Sequence, residues 1–188
     1  MSKLLKTYLQ NPSLRNEKQI HVFLKTYNHL LKSENFYESI YEKHYYHKNS
    51  RKYEEVDFFN IAHQYSMNLN ELFEVKLPNE RFFSKKNYRV LKPAIRHFHQ
   101  IGTKYYNFFS DPTNLKEIQI KSYQNGVSIK NLDFQYSLLM GTEEDKLQNI
   151  SGLNTLISMP KANVRLLTYD DLLKRHHYLH LRVTRFGI

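Results

Sequence analysis

The residues most able to do chemistry are histidines and tyrosines. His97-Phe98-His99 would, on a β-strand, turn two imidazoles to one face. There they could hold a divalent ion while a nearby tyrosine, Tyr105 or Tyr106, attacked a phosphate, the chemistry of a metal-dependent single-strand nickase. On a helix, residues two apart diverge by about 200° and cannot share a metal. The flanking apolar spacing is helical, so the nickase using His97 and His99 is the second alternative here and not the leading expectation. His176 and His180 stand four apart, but position 177 is His where the H-E-x-x-H zinc pattern needs Glu. His44 and His47, three apart on an expected helix, read the same way, as surface cations. Asp170 and Asp171 are adjacent and point apart, so they serve the first turn of a helix better than paired acid catalysis. No phosphate-cradling glycine motif is present, and the chain has only 5 glycines and no cysteine. That excludes thiol catalysis, disulfides and zinc fingers. No catalytic residue, metal or cofactor is assigned.

Charge gives the stronger signal. The chain carries a formal net charge of +10 over 188 residues, which favours an anionic partner. Between Lys76 and Lys104 every charged residue except Glu80 is Lys or Arg, histidines aside. Lys85, Arg89, Lys92 and Arg96 are spaced four, three and four, a row of cations on one face if a helix runs from Lys85 to His99. Leu91, Ala94, Ile95 and Phe98 would form its buried stripe, and Pro93 would kink it.

The elements that must position this row follow from periodicity. Ile20, Phe23, Leu24, Tyr27, Leu30 and Leu31 define a helix over residues 17–32. Further helices are expected over 34–48 and 53–65, separated by a basic turn in HKNSRK, and a short one in NLNELFEV. Downstream, Ile118 and Ile120 alternate with polar residues, and Asn125-Gly126 is a strong hairpin signal. Thr168 caps an expected helix, and residues 178–186 alternate like a closing strand. The 40% apolar and 14% aromatic content supports a folded core. No run is long enough to span a bilayer, and the start lacks the apolar core of a signal peptide, so a cytoplasmic location is expected.

The run FFSKKNYRVLKPAIRHFHQ, with NELFEV before it and IQIKSYQNGVSIKNLDFQY after it, resembles the winged-helix initiator replication proteins of theta-type plasmids. The Val90-Leu91-Lys92-Pro93-Ala94-Ile95 core carries the resemblance, which covers about residues 60–138. It implies a winged helix, placed over 53–140; with the periodicity outside it, the expected fold is α+β, mainly helical, with a helical extension over 1–52 and a C-terminal helix and strand over 141–188. It also implies sequence-specific binding of double-stranded DNA, as an origin-binding initiator or a repressor of a plasmid or other mobile element. The expected contacts are Lys85, Lys86, Arg89, Lys92 and Arg96 on the recognition helix and Lys121, Gln124, Asn125 and Lys130 on the wing. Self-association as a homodimer and a replication or phage/host protein partner go with that reading. The first alternative is a protein-binding module or inhibitor from a mobile element.

Overall fold

A computed structural model describes residues 16–31, 36–47, 52–62, 69–124, 126, 128–129 and 132–186. The first expected helix is present as α1 (Glu17–Thr26). The Asn16 side chain accepts a bond from the Lys18 backbone N–H at 2.9 Å, satisfying one of the donors that a helix start leaves open. Ile20, Phe23 and Leu24 are buried along the expected stripe, and a 3₁₀ turn at Asn28–Leu30 keeps Leu30 and Leu31 buried with them.

The next three elements correct the expectation of helices. They are strands: β1 (Phe36–His47), β2 (Lys52–Ala62) and β3 (Asn70–Val75). Their aromatic and β-branched content suits a pleated surface. Every residue from Val56 to Ala62 is buried, and a strand buried on both faces satisfies helical spacing as easily as alternation. The four central residues of the expected basic turn, 48–51, lie outside the described residues.

β1 pairs antiparallel with β2, from Phe36↔Ala62 to His47↔Lys52, and β2 pairs antiparallel with β3. β3 then pairs in parallel with β4 (Phe134–Leu139), and β4 in parallel with β5 (Val164–Leu167). The five strands lie in chain order and come from all three segments marked out above.

Helices cover both faces. On one side lie α2 (Lys92–His99), a π-helical turn (Gln100–Tyr105) and α3 (Tyr106–Phe109), which run as one rod, with α4 (Pro112–Gln124) and α6 (Ile150–Ser158). Their Phe98, Ile101, Phe108, Phe109, Ile118 and Leu156 pack against Val56, Phe59, Ile61 and Leu72 of the sheet. On the other side α1 and α7 (Tyr169–Phe186) pack Ile20, Leu24, Tyr169 and Leu172 against Phe58, Phe73, Val75 and Leu139. α5 (Glu143–Leu147) links β4 to α6. The protein is a mixed α and β structure of three layers.

The wing is corrected too. Ile118 to Ser122, expected as a strand, lie within α4. Gly126, at φ 77°, donates its N–H to the Tyr123 carbonyl at 3.0 Å, so its left-handed backbone ends a helix rather than forming a hairpin turn. Residues 178–186, expected as the closing strand, continue α7, and the strand lies instead at Val164–Leu167. With strands in place of the early helices and a helix in place of the wing's first strand, the helix-helix-hairpin order of a winged helix is not what the chain forms.

Pro93 also finds a different role. The expected helix from Lys85 begins only at Lys92, after extended Leu91 (φ −81°, ψ 139°), which places Pro93 in the first turn. No backbone donor is needed there, so the ring costs nothing and sets the helix start.

Candidate active site

Three charged side chains converge where β2 and β3 meet. Asp57, Glu74 and Lys76 are only 8%, 4% and 9% exposed. The Val75 backbone N–H donates to Asp57 Oδ2 at 2.6 Å, which ties the β2 carboxylate to β3. Lys76 Nζ stands 3.0 Å from Glu74 Oε1 and 3.2 Å from Glu17 Oε2, so α1 contributes a third carboxylate, about half-exposed. His21, also on α1, has its Nε2 3.6 Å from Asp57 Oδ2. Glu74 and Lys76 lie two apart at the carboxyl end of a strand, which turns them to one side.

The π-helical turn supplies the backing. Gln100 Nε2 donates to Glu74 Oε1 at 3.3 Å and to Tyr105 Oη at 3.4 Å. The Tyr105 hydroxyl faces two acceptors, Glu74 Oε2 at 2.6 Å and the Glu55 carbonyl at 2.5 Å. Single π turns inside α-helices recur at functional sites. This one is held against its neighbours by Gly102, whose carbonyl accepts from the Ala162 N–H at 2.9 Å. A Cβ at Gly102 would come within 2.4 Å of Pro160 and 2.7 Å of Val164, so the approach requires glycine.

Electrostatics show what the cluster lacks. Burial pushes the Asp57 carboxyl well above its ordinary range, and nearby Glu74 pushes it the same way, against the Val75 N–H and Lys76. Burial alone would lower the Lys76 ammonium, but Glu74, Asp57 and Glu17 outweigh it and raise it, so Lys76 stays charged. Burial and then the Glu74 charge raise the Tyr105 phenol, which stays a donor with one proton for two acceptors. Carboxylates thus outweigh cations in a dry place, and a bound cation or proton relieves the excess.

Among the described residues no three His, Cys, Asp or Glu side chains are placed to enclose a metal. A hard ion such as Mg²⁺ does not require that, since it binds through one or two carboxylates and keeps waters and phosphate oxygens for the rest. Asp57 and Glu74 fit such a site.

The sequence-derived candidates lie elsewhere. Lys85, Lys86 and Arg89 are exposed on the loop before α2, and Lys92 and Arg96 are exposed on α2 itself, so the five do not form one helical row. Lys121 and Gln124 belong to α4, and Asn125 and Lys130 lie outside the described residues. His97 and His99 both sit on α2. His97 is buried with its Nε2 2.7 Å from Glu80 Oε1, whose carboxyl it lowers by that hydrogen bond, while His99 is exposed. They share no site.

The residues missed were Asp57 in VDFFN and Glu74-Val75-Lys76 in ELFEVK. A lone acid inside an apolar run, matched by a second acid and a lysine two residues on, was the available signal. It has meaning only if both runs are strands, and their apolar spacing predicts helices.

A helix-covered mixed sheet with a buried carboxylate and a lysine at the end of its central strand, and a second buried carboxylate on the strand beside it, defines an α/β domain whose charged cluster is enclosed between layers. The chain belongs to the family described as Shedu protein SduA, C-terminal, whose model matches residues 15–173. No match was found among the curated proteins. Family membership overturns the resemblance to plasmid replication initiators, and with it the reading as an origin-binding protein or repressor. The nickase at His97 and His99, read from those residues alone, is removed by their placement on a helix, where residues two apart cannot share a metal. Among the described residues no helix is long and apolar enough to cross a membrane.

Proposed function

We propose that this chain is a divalent-cation-dependent nuclease that hydrolyses phosphodiester bonds, with Asp57, Glu74 and Lys76 as its catalytic residues and anti-phage defence as its setting. The convergence of those three side chains at the meeting of β2 and β3 carries the reading. Family membership supports the setting, and the net charge of +10 suits a polyanionic substrate.

In such a hydrolysis a water oxygen bonds to phosphorus, one P–O bond breaks, and the departing oxygen takes up a proton. A cation at Asp57 and Glu74 would supply Lewis acidity toward the phosphoryl oxygens and a more acidic bound water. Lys76, kept as an ammonium, holds positive charge where negative charge develops on the phosphoryl group. It therefore acts electrostatically and not as a base. Gln100 and Tyr105 are positioning residues: their donors fix both oxygens of Glu74. This departs from the expectation of a non-catalytic protein, which rested on the absence of a recognised motif.

The test is incubation of supercoiled and linear DNA and of RNA with the chain, with Mg²⁺ or Mn²⁺ and with chelator. Cation-dependent cleavage that disappears in Glu74→Gln supports the reading. Cleavage that survives Glu74→Gln and Asp57→Asn, or none with any substrate and ion, overturns it.

A further inference from the structure

We infer that a second site, distinct from the carboxylate–lysine cluster, takes a single nucleotide unit. A cavity of about 380 Å³ opens between the loop after β3 and the start of α5, within the range of about 300–1,000 Å³ typical of ligand pockets. Arg81, Lys85, Tyr88, Thr142 and Gln148 line it, with Glu144 and Asp145 on the remaining wall. Arg81 follows β3 and Thr142 follows β4, so the cavity lies off the carboxyl ends of two parallel strands, where open α/β sheets accept ligands.

Two features go beyond a crevice between loops. Arg81 is locked, its Nε and Nη2 donating to Asp145 Oδ1 at 2.9 and 2.7 Å while the Phe82 N–H donates to Asp145 Oδ2 at 2.5 Å. Its Nη1 is buried and has no hydrogen-bond partner among the described residues. A guanidinium fixed in this way is a rigid wall of the cavity, with its charge matched by Asp145.

Tyr88 is the second feature. Its φ is 51°, a region that side chains seldom occupy, and it is the only non-glycine residue with positive φ among those described. The backbone is held there on every side: Tyr88 N–H donates to the Ser84 carbonyl at 3.0 Å, Asn149 Nδ2 donates to the Tyr88 carbonyl at 3.0 Å, and Ser84 N–H donates to the Arg89 carbonyl at 2.9 Å. The result is a ring 47% exposed beside the cavity. Strained backbone that its surroundings enforce is characteristic of ligand clamps.

A ring to stack on, Lys85 for a phosphate, and an amide, a hydroxyl and a carboxylate for base and sugar edges together match a nucleotide. Asp145 already matches Arg81 and Glu144 stands against Lys85, so the walls carry no surplus of positive charge and do not suit a polyphosphate. The nucleotide can be free or one unit of a single strand. The inference does not depend on whether the carboxylate–lysine cluster cleaves anything.

Calorimetric titration of the full chain in chelator, with deoxynucleoside 5′-monophosphates, tetranucleotides and inorganic phosphate, tests it. Binding of one equivalent of monophosphate assigns a free nucleotide, and binding of tetranucleotide alone assigns a strand unit. In either case Tyr88→Gly weakens binding by roughly tenfold, the order of a lost base stack, without lowering the melting temperature, because glycine suits that backbone. Lys85→Ala, on an exposed loop, weakens binding as well. Absence of binding to millimolar concentration, phosphate binding as tightly as any nucleotide, or binding indifferent to both substitutions would overturn the assignment.

Discussion

Gln100 and Tyr105 are five residues apart, yet the amide of one reaches the hydroxyl of the other at 3.4 Å, and both donate to Glu74. On an α-helix, residues five apart point about 140° away from each other. The π-helical turn between Gln100 and Tyr105 brings them together, so the local widening of the helix is what gives Glu74 a donor for each oxygen.

Tyr105→Phe leaves Glu74 Oε2 without its donor, and Gln100→Ala leaves Oε1 to Lys76 alone. Losing a group behind a metal ligand typically costs about 10–100-fold in metal affinity or activity. Cleavage measured against Mg²⁺ concentration shows the loss as a shifted metal requirement, recovered in part at high metal. An unchanged Mg²⁺ profile in both variants would show that they do not position Glu74.

Asp57→Asn removes a buried charge while keeping an acceptor for the Val75 N–H. The metal-free variant melts higher than the parent at neutral pH, by about 2–4 °C for each kcal/mol recovered in a chain of this size, and no longer cleaves. Stability is gained in this way wherever a functional charge is removed from a dry site.

The pH dependence has a definite sign. Burial, then Glu74, raise the native Asp57 carboxyl above its ordinary value of 3.8. Its contribution to stability is therefore fully present below about pH 4 and is lost as pH rises through the raised native value. Melting of the parent minus that of Asp57→Asn, in chelator, falls across that window. Adding Mg²⁺ reverses the fall for the parent alone.

Lys76→Gln leaves Glu74, Glu17 and Asp57 without their shared ammonium. Cleavage falls to background, while the metal binds at least as tightly because the local negative charge has grown. Mn²⁺ binding followed by electron paramagnetic resonance, beside a cleavage assay, separates the two effects. Weaker Mn²⁺ binding in this variant would move Lys76 from charge stabilisation to holding the site together.

Gly102→Ala forces a methyl group into Pro160 and Val164. Overpacking of this kind costs about 1–3 kcal/mol. Thermal melting of the metal-free protein reads it directly, and relief of the π-helical turn shows as loss of cleavage beyond the loss of stability.

The sequence made the start and buried face of α1 legible, because one face of it is polar and the spacing of Ile20, Phe23 and Leu24 has no strand equivalent, but the helix expected to reach residue 32 ends at Thr26. It also made legible Thr168 and Asp171 at the start of α7, where each group bonds the other's backbone. The central strands were not legible. NELFEV is buried at all six positions, so nothing in its pattern marks a period. Asp57 and Glu74 were hidden for the same reason: they are 17 residues apart in the chain and become neighbours only through the β2–β3 pairing. Charge, which was legible, marked exposed Lys86, Arg89 and Lys92, which stand apart from the carboxylate–lysine cluster.

β3 is bonded to β2 on one edge and to β4 on the other, with six consecutive partners from Asn70↔Phe134 to Val75↔Leu139. A strand so placed opens only when the whole domain does, and its amides exchange with solvent on the timescale of global unfolding. Glu74 thus rides on the most persistent part of the molecule and Glu17 on a single ten-residue helix at the edge of it. The first event that a denaturant, a protease or a binding protein can impose on the cluster is the departure of Glu17, which leaves Asp57, Glu74 and Lys76 assembled behind it.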